Sequence, residues 1–414
     1  MSRNITIALV VVIVAIICVL VYTLVEEART REDLSDLWRY LGENDEDSFT
    51  SAREICEDDL DRALPVLFRA VADENATRRE NAVRMFGTFV ADLQDKRQRA
   101  VEAITERLSD GDAAVRVEAC LVLTAKFRHA GCVDKLEALA DADPDLTVRL
   151  AALDGIGRVA GEKEVTFLAD KIKNGKDDRE GKILKSGASR ALGLTGRGDA
   201  LFVLLSQLQN KEGLMVQTEQ LLALAALAGD LRDPKGTGPD RKVIDALDEY
   251  FSQRDPASLM IQAQEDAAAG FASLPEDLCA ALLKAYHDWG DGKKVDVFFE
   301  KMKSAPPEAR KFYEGVIHDY ILSLMWTQQI AAGADILVVV DVSDADKALL
   351  LDICGKLVDL IGSDSSQFAL ENLRLISGLN PGDDVVKWRE QYEKWTSGKE
   401  KFKVEPLTDE PEKE

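Results

Sequence analysis

Along most of this chain apolar residues recur every three to four positions, the spacing of one helix face, in stretches that come two by two. The pattern is clearest at Asp143–Gly157 (DPDLTVRLAALDGIG). A turn with Asp and Pro is followed by an apolar residue and an Arg. Alanines lie two and three positions after the Arg, an aliphatic residue seven after and a glycine eight after. Weaker copies are centred on Arg79, Arg116, Lys185 and Gln217, so that from Arg79 onward the anchors are 37, 33, 36 and 32 residues apart. A second amphipathic stretch follows several phrases, as in Cys132–Ala140, Glu164–Ile172 and Asp199–Leu208. Two helices per repeat, recurring at near-constant spacing, predict an all-α fold: an α-solenoid of stacked helix pairs.

Each position in the phrase has a physical reading. Asp112 and Asp145 lie four residues before Arg116 and Arg149, where a carboxylate caps a helix and pairs with the arginine one turn on. Arg79, Arg116 and Arg149 are expected to pair with turn carboxylates of their own or a neighbouring repeat. The central alanines let another helix approach. Gly87, Gly157 and Gly193 suit left-handed helix C-caps.

The phrase Asp-x-Asp-x-x-Val-Arg, two small residues and Ala-Leu-Gly resembles the HEAT-like repeats first described in phycobilisome lyases. The likeness is good at 110–124, 143–157 and 182–196, loose at 75–87 and 212–225, and marginal at Gln262–Gly270, where the spacing stretches to 45. It implies a HEAT-like repeat body over 49–275 and leaves function open. Residues 276–396 read as divergent helical repeats with a C-terminal cap. The end, Gly378–Trp395, resembles the Gly-Asp-rich, Trp-spaced terminus of some bacterial HEAT-like proteins, with Trp388 and Trp395 on one helical face.

Ile5–Val25 carries no charge over 21 residues, about 31 Å as a helix, enough for a bilayer core. It runs into Glu26 and Glu27 without a small-x-small cleavage site, so it reads as an uncleaved transmembrane helix after a short tail. Lys and Arg counts around it are nearly balanced. The short tail with Arg3 favours the signal-anchor layout, with the body extracytoplasmic, periplasmic in a bacterium. Residues 26–48 read as a juxtamembrane helix and an acidic hinge at Gly42–Ser48 that lets the body tilt. Thr50–Leu60 and Leu64–Ala72 are expected helices, the second broken near Pro65. Residues 397–414, charged and Pro-containing, read as a disordered tail.

Composition narrows the partners. The 414 residues carry 52 Lys and Arg against 75 Asp and Glu, a net charge of −23. A phosphate backbone needs clustered cations, so no nucleic acid is expected. A protein partner, basic or an extended peptide, is electrostatically easier. Cys56, Cys120, Cys132, Cys279 and Cys354 lie among apolar neighbours without paired spacing, the look of free core thiols.

Catalytic chemistry has one formal candidate. His287-Asp288, His318-Asp319 and Asp352 or Asp359 follow the order seen in all-α HD-type metal phosphohydrolases, in which imidazole and carboxylate hold a metal that activates water. With so many carboxylates a His-Asp dipeptide arises easily by chance, and no catalysis, cofactor or metal is expected. There is no His-Glu pair of the kind used by iron-binding HEAT-repeat hydroxylases, and nothing marks a tetrapyrrole site. Ile336–Val342 alone reads as a strand. Followed by Asp341-x-Ser343 it resembles the metal-dependent adhesion motif, but Ala345 replaces the second serine, so a buried connector or helix end is the expectation. The reading is a membrane-anchored interaction scaffold.

Overall fold

The computed structural model describes residues 32–404 except 211, 233–239, 255, 269, 272–273, 332–333 and 340–341, with backbone alone over 326–331 and 334–339. The apolar stretch 5–25, and the anchor read from it, lies outside these residues. Among the described residues no helix is long and apolar enough to cross a membrane. The chain divides into two compact units, 1–155 and 156–414.

The first unit contains α1 (32–40), α2 (Glu46–Asp58), α3 (Leu60–Ala70), α4 (Ala76–Thr88), α5 (Arg97–Arg107), α6 (Ala113–Leu121), α7 (Val133–Ala142) and most of α8 (Leu146–Val159). The phrase helices α4 and α6 pack side by side, and α5 flanks α6. Their cores are small residues interleaved with large ones: Ala82, Phe86, Ala119 and Leu123 are fully buried. α6 runs into a π-turn over Val122–Lys126. Three N-caps follow the sequence signals, with Asn75, Asp112 and Asp145 accepting from the backbone amides of Arg78, Ala114 and Thr147. Pro65 lies inside α3 without ending it, contrary to the expected break. Near a helix start it removes a single intrahelical bond, and Asp59 caps that end through the Arg62 amide. Gly42–Ser48 is not a free hinge either, because Asn81 of α4 donates to the carbonyls of Glu43 and of Leu41 just before it.

The second unit continues with α9 (Glu162–Asn174), α10 (Arg179–Gly193), α11 (Gly198–Gln207), α12 (Leu214–Leu231), α13 (Arg241–Ser252), α14 (Pro256–Ala268), α15 (Pro275–Asp288), α16 (Val295–Ser304), α17 (Pro307–Met325), α18 (Asp344–Leu360), α19 (Ser366–Ser377) and α20 (Val385–Thr396). α10, α12, α15 and α17 pack each on the next as the central row. Gln262–Gly270, the marginal sixth copy, is the wrong helix. α15 takes the place beside α12, and α14 is an insertion. Its buried Asp266 accepts the Leu214 amide at 2.7 Å and pairs with Lys182 at 3.5 Å. Trp289, the fully buried residue that follows α15, donates Nε1 to the Leu224 carbonyl of α12 at 2.8 Å and ties the end of α15 to α12.

Between α17 and α18 the chain forms an antiparallel hairpin, β1 (Trp326–Ala331) and β2 (Ala334–Val339), with Trp326 opposite Val339. This corrects the expectation of a connector or helix end: the described part of that stretch, Ile336–Val339, lies in β2. Asp341 lies outside the described residues, and Ser343 serves as the N-cap of α18. At the far end Trp388 and Trp395 are buried on one face of α20. Phe402 packs edge-on against Trp395, so residues 397–404 are not the disordered segment expected. Residues 405–414 lie outside the description.

Candidate interaction surface

The repeat positions singled out from sequence form a buried ladder along the inter-helix turns. Arg116 donates Nε and Nη2 to the two oxygens of Asp143 at 2.8 Å each, and Nη1 to the Asp110 carbonyl at 2.8 Å. Arg79 does the same one repeat earlier, forking onto Asp110 at 2.8 and 2.6 Å and binding the Asp73 carbonyl. Asp110 and Asp143 each accept a second bond from the amide two residues on, which shapes the turn. The two aspartates of Asp-x-Asp therefore divide the work. The first takes the preceding repeat's arginine and the second caps the following helix. This corrects the expectation that Asp112 pairs with Arg116. Arg149 donates Nε to the Ala140 carbonyl, again reaching back to the turn before its helix.

In the second unit the ladder changes chemistry but keeps its place. Lys185, almost fully buried, bridges Asp177 at 2.7 Å and Glu212 at 3.3 Å. Burial lowers its pKa, but the two carboxylates more than offset this, and the ammonium is held above its ordinary value. Gln217 binds the Glu212 carbonyl and accepts from Tyr250 and Arg254 at 2.6 and 3.0 Å. Gln220, one turn on, is fully buried, and neither end of its amide has a partner among the described residues. An unsatisfied buried amide costs about 1–3 kcal/mol. Gln220→Met keeps the length and removes the polar atoms, so it is expected to raise stability by about 1–2 kcal/mol in urea unfolding. A loss of stability would show that water completes the amide's bonds.

Gly157 and Gly193 are not C-caps. Neither they nor Gly87 have positive φ. A Cβ on Gly157 would lie 2.9 Å from the Ala191 carbonyl carbon and nearer its oxygen, and one on Gly193 would lie 2.8 Å from Ala223 Cα. Gly157 abuts Ala191 of α10 and Gly193 abuts Ala223 of α12, close approaches that a side chain would block. On Gly87 the added carbon would meet the Val122 side chain at 3.0 Å.

The HD-type residues are not brought together. His287 Nε2 lies 2.8 Å from Asp346, whereas His318 Nδ1 lies 2.9 Å from Asn372. Asp288 is held by Lys284 at 2.7 Å. Burial, with Asp277 and Glu276 nearby, raises Asp319 to about 6, against the opposing His318. Asp352 and Asp359 line a shallow 350 Å³ cleft between α18 and α20 with Lys356, Arg389 and Tyr392. Among the described residues no group of three or more His, Cys, Asp or Glu is placed to hold a metal ion. The cysteines at 56, 120, 132, 279 and 354 are buried and unbridged. Burial pushes Cys56 and Cys279 up to about 12 and Cys132 to about 11, far from an activated thiolate.

What faces outward is acidic with scattered apolar points. Residues 43–61 carry nine carboxylates against the single Arg53, and those of α2 are exposed. Phe202 on α11 is 70% exposed and Ile261 on α14 58%, with Met260 and Leu274 also open. No sequence signal marked these four, because large apolar residues inside amphipathic helices read as core. Compared with known proteins, residues 101–183 match the family model of HEAT repeats. Together with the helix pairs this supports a HEAT-like repeat protein. No curated protein matches the chain.

Proposed function

We propose that the chain is a membrane-anchored HEAT-like scaffold that binds a basic protein partner or extended basic peptide and performs no catalysis itself. HEAT repeats generally mediate protein–protein interaction, and stacked repeats present a long surface for it. The observation that carries the reading is how the ionic groups are allotted. The repeat cations Arg79, Arg116 and Lys185 are consumed in buried pairs between turns, which leaves the chain's surplus of carboxylates to the surface. The membrane placement, with the body on the extracytoplasmic side, rests on the uncharged stretch 5–25. An anchor raises the local concentration of the body near membrane partners, so individually weak contacts suffice.

Crosslinking of the full-length protein in cells, followed by mass spectrometry, tests this. One dominant partner joined through repeat-region lysines is expected, and its affinity should fall about tenfold or more from low to high ionic strength. Salt-indifferent binding would move the contact to the apolar points around Phe202 and Ile261. Absence of any enriched partner would sink the scaffold reading.

A further inference from the structure

Residues 42–48 are polar and acidic, yet the fold fastens them on both sides. Leu37 and Leu41 are fully buried. Two guanidinium groups lie against the Trp38 ring, Arg69 at 4.2 Å and Arg78 at 4.4 Å from its centre. Arg78 also donates Nε to the Trp38 carbonyl at 3.1 Å and Nη1 to Asp73 at 2.7 Å. Asn81 donates Nδ2 to the carbonyls of Leu41 and Glu43 at 3.1 and 3.0 Å. Ser48 closes back onto Glu43 at 2.7 Å, and Asp45 caps α2. Gly42 fits because a side chain there would collide with Arg78. The connection between α1 and α2 is thus held at Trp38, Leu41 and Glu43 by α4 and closed on itself through Asp45 and Ser48.

We propose that α1, the 42–48 connection and the first repeat are one rigid piece, so that residues 26–31 alone link the body to the apolar stretch 5–25. This rests on the membrane-anchor reading. Six residues reach about 20 Å even when fully extended, whereas a free 26–48 segment would reach about 80 Å. The first repeat is thereby confined to a thin shell above the bilayer, and its orientation is narrowed with it.

The test uses the full-length chain in phosphatidylcholine nanodiscs, with a donor dye on D47C and an acceptor dye on the lipid headgroups. Strong transfer is expected, falling when a flexible Gly-Ser linker of about 20 residues, reaching roughly 25 Å on average, is inserted after Arg31. Transfer as weak in the unmodified chain as in the linker variant would overturn the proposal. Glu-specific proteolysis reads the clamp independently. Cleavage after Glu43 and Glu46 should be slow in the native chain and fast in Trp38→Ala or Asn81→Ala, and equal rates would again overturn it. If the protein fails to enter nanodiscs the anchor reading falls and the tether with it, while protection at Glu43 still reports the clamp.

Discussion

Arg116→Ala is expected to lower the stability of the first unit by about 3–5 kcal/mol, the usual cost of leaving one member of a buried ion pair without its partner. The guanidinium and the Asp143 carboxylate are both nearly inaccessible, at 10% and 4% of side-chain exposure. Truncation strands the carboxylate and also frees the Asp110 carbonyl. Asp143 loses its fork while still shaping the turn for α8, so the damage reaches two repeats. Urea unfolding of Arg116→Ala, Asp143→Asn and the double variant measures the coupling. A double variant less damaged than the sum of the singles is the expected result, and strictly additive losses would show that the pair is not the unit.

The ladder also sets an acid limit. Burial pushes the Asp110 carboxyl up, but the Arg79 fork, the Asp112 amide and the charge of Arg107 outweigh it and hold the group below its ordinary value. A carboxyl depressed on folding contributes stability that is complete above its unfolded pKa of about 4. That contribution drains away as pH falls through the folded value. Unfolding curves of the native chain should therefore shift to lower urea below about pH 4, and by less in Asp110→Asn.

The sequence shows the helices well and their partners poorly, for a common reason. Helix boundaries follow local patterns of apolar spacing and capping, and α7, α9 and α11 begin and end within two residues of their expected limits. Which carboxylate an arginine takes is decided by stacking, and it lies 27 or 31 residues away in sequence. From one sequence Asp112 and Asp143 are equally eligible for Arg116. The glycines failed similarly. A glycine eight residues after the phrase's arginine suits a C-cap or a close crossing equally well, and only the neighbouring helix decides. The segment 42–48 looks like a hinge because its own residues are polar, while what fixes it, Arg78 and Asn81, sits some forty residues on. α14 is helical as read, though its likeness to the repeat is marginal. Its displacement from the row shows only once α15 is seen against α12.

Two glycine-to-alanine exchanges in the second unit should move stability in opposite directions. Gly157→Ala puts a methyl against the backbone of Ala191, which lies in α10 and has no rotamer to yield. Either the two backbones move apart locally or the helix bends, at a cost of about 1–3 kcal/mol that exceeds the gain of nearly 1 kcal/mol from replacing a helical glycine. Gly229 lies near the end of α12 with nothing within 4 Å of an added Cβ. Gly229→Ala there keeps only the gain, about 0.5–1 kcal/mol, because the unfolded chain loses freedom that the helix never used. Thermal or urea unfolding of the two variants beside the native chain decides the matter. Opposite signs support a backbone contact between Gly157 and Ala191. A stabilised Gly157→Ala would mean that the helices stand farther apart than a backbone contact, and that the glycine answers to something other than the neighbouring helix.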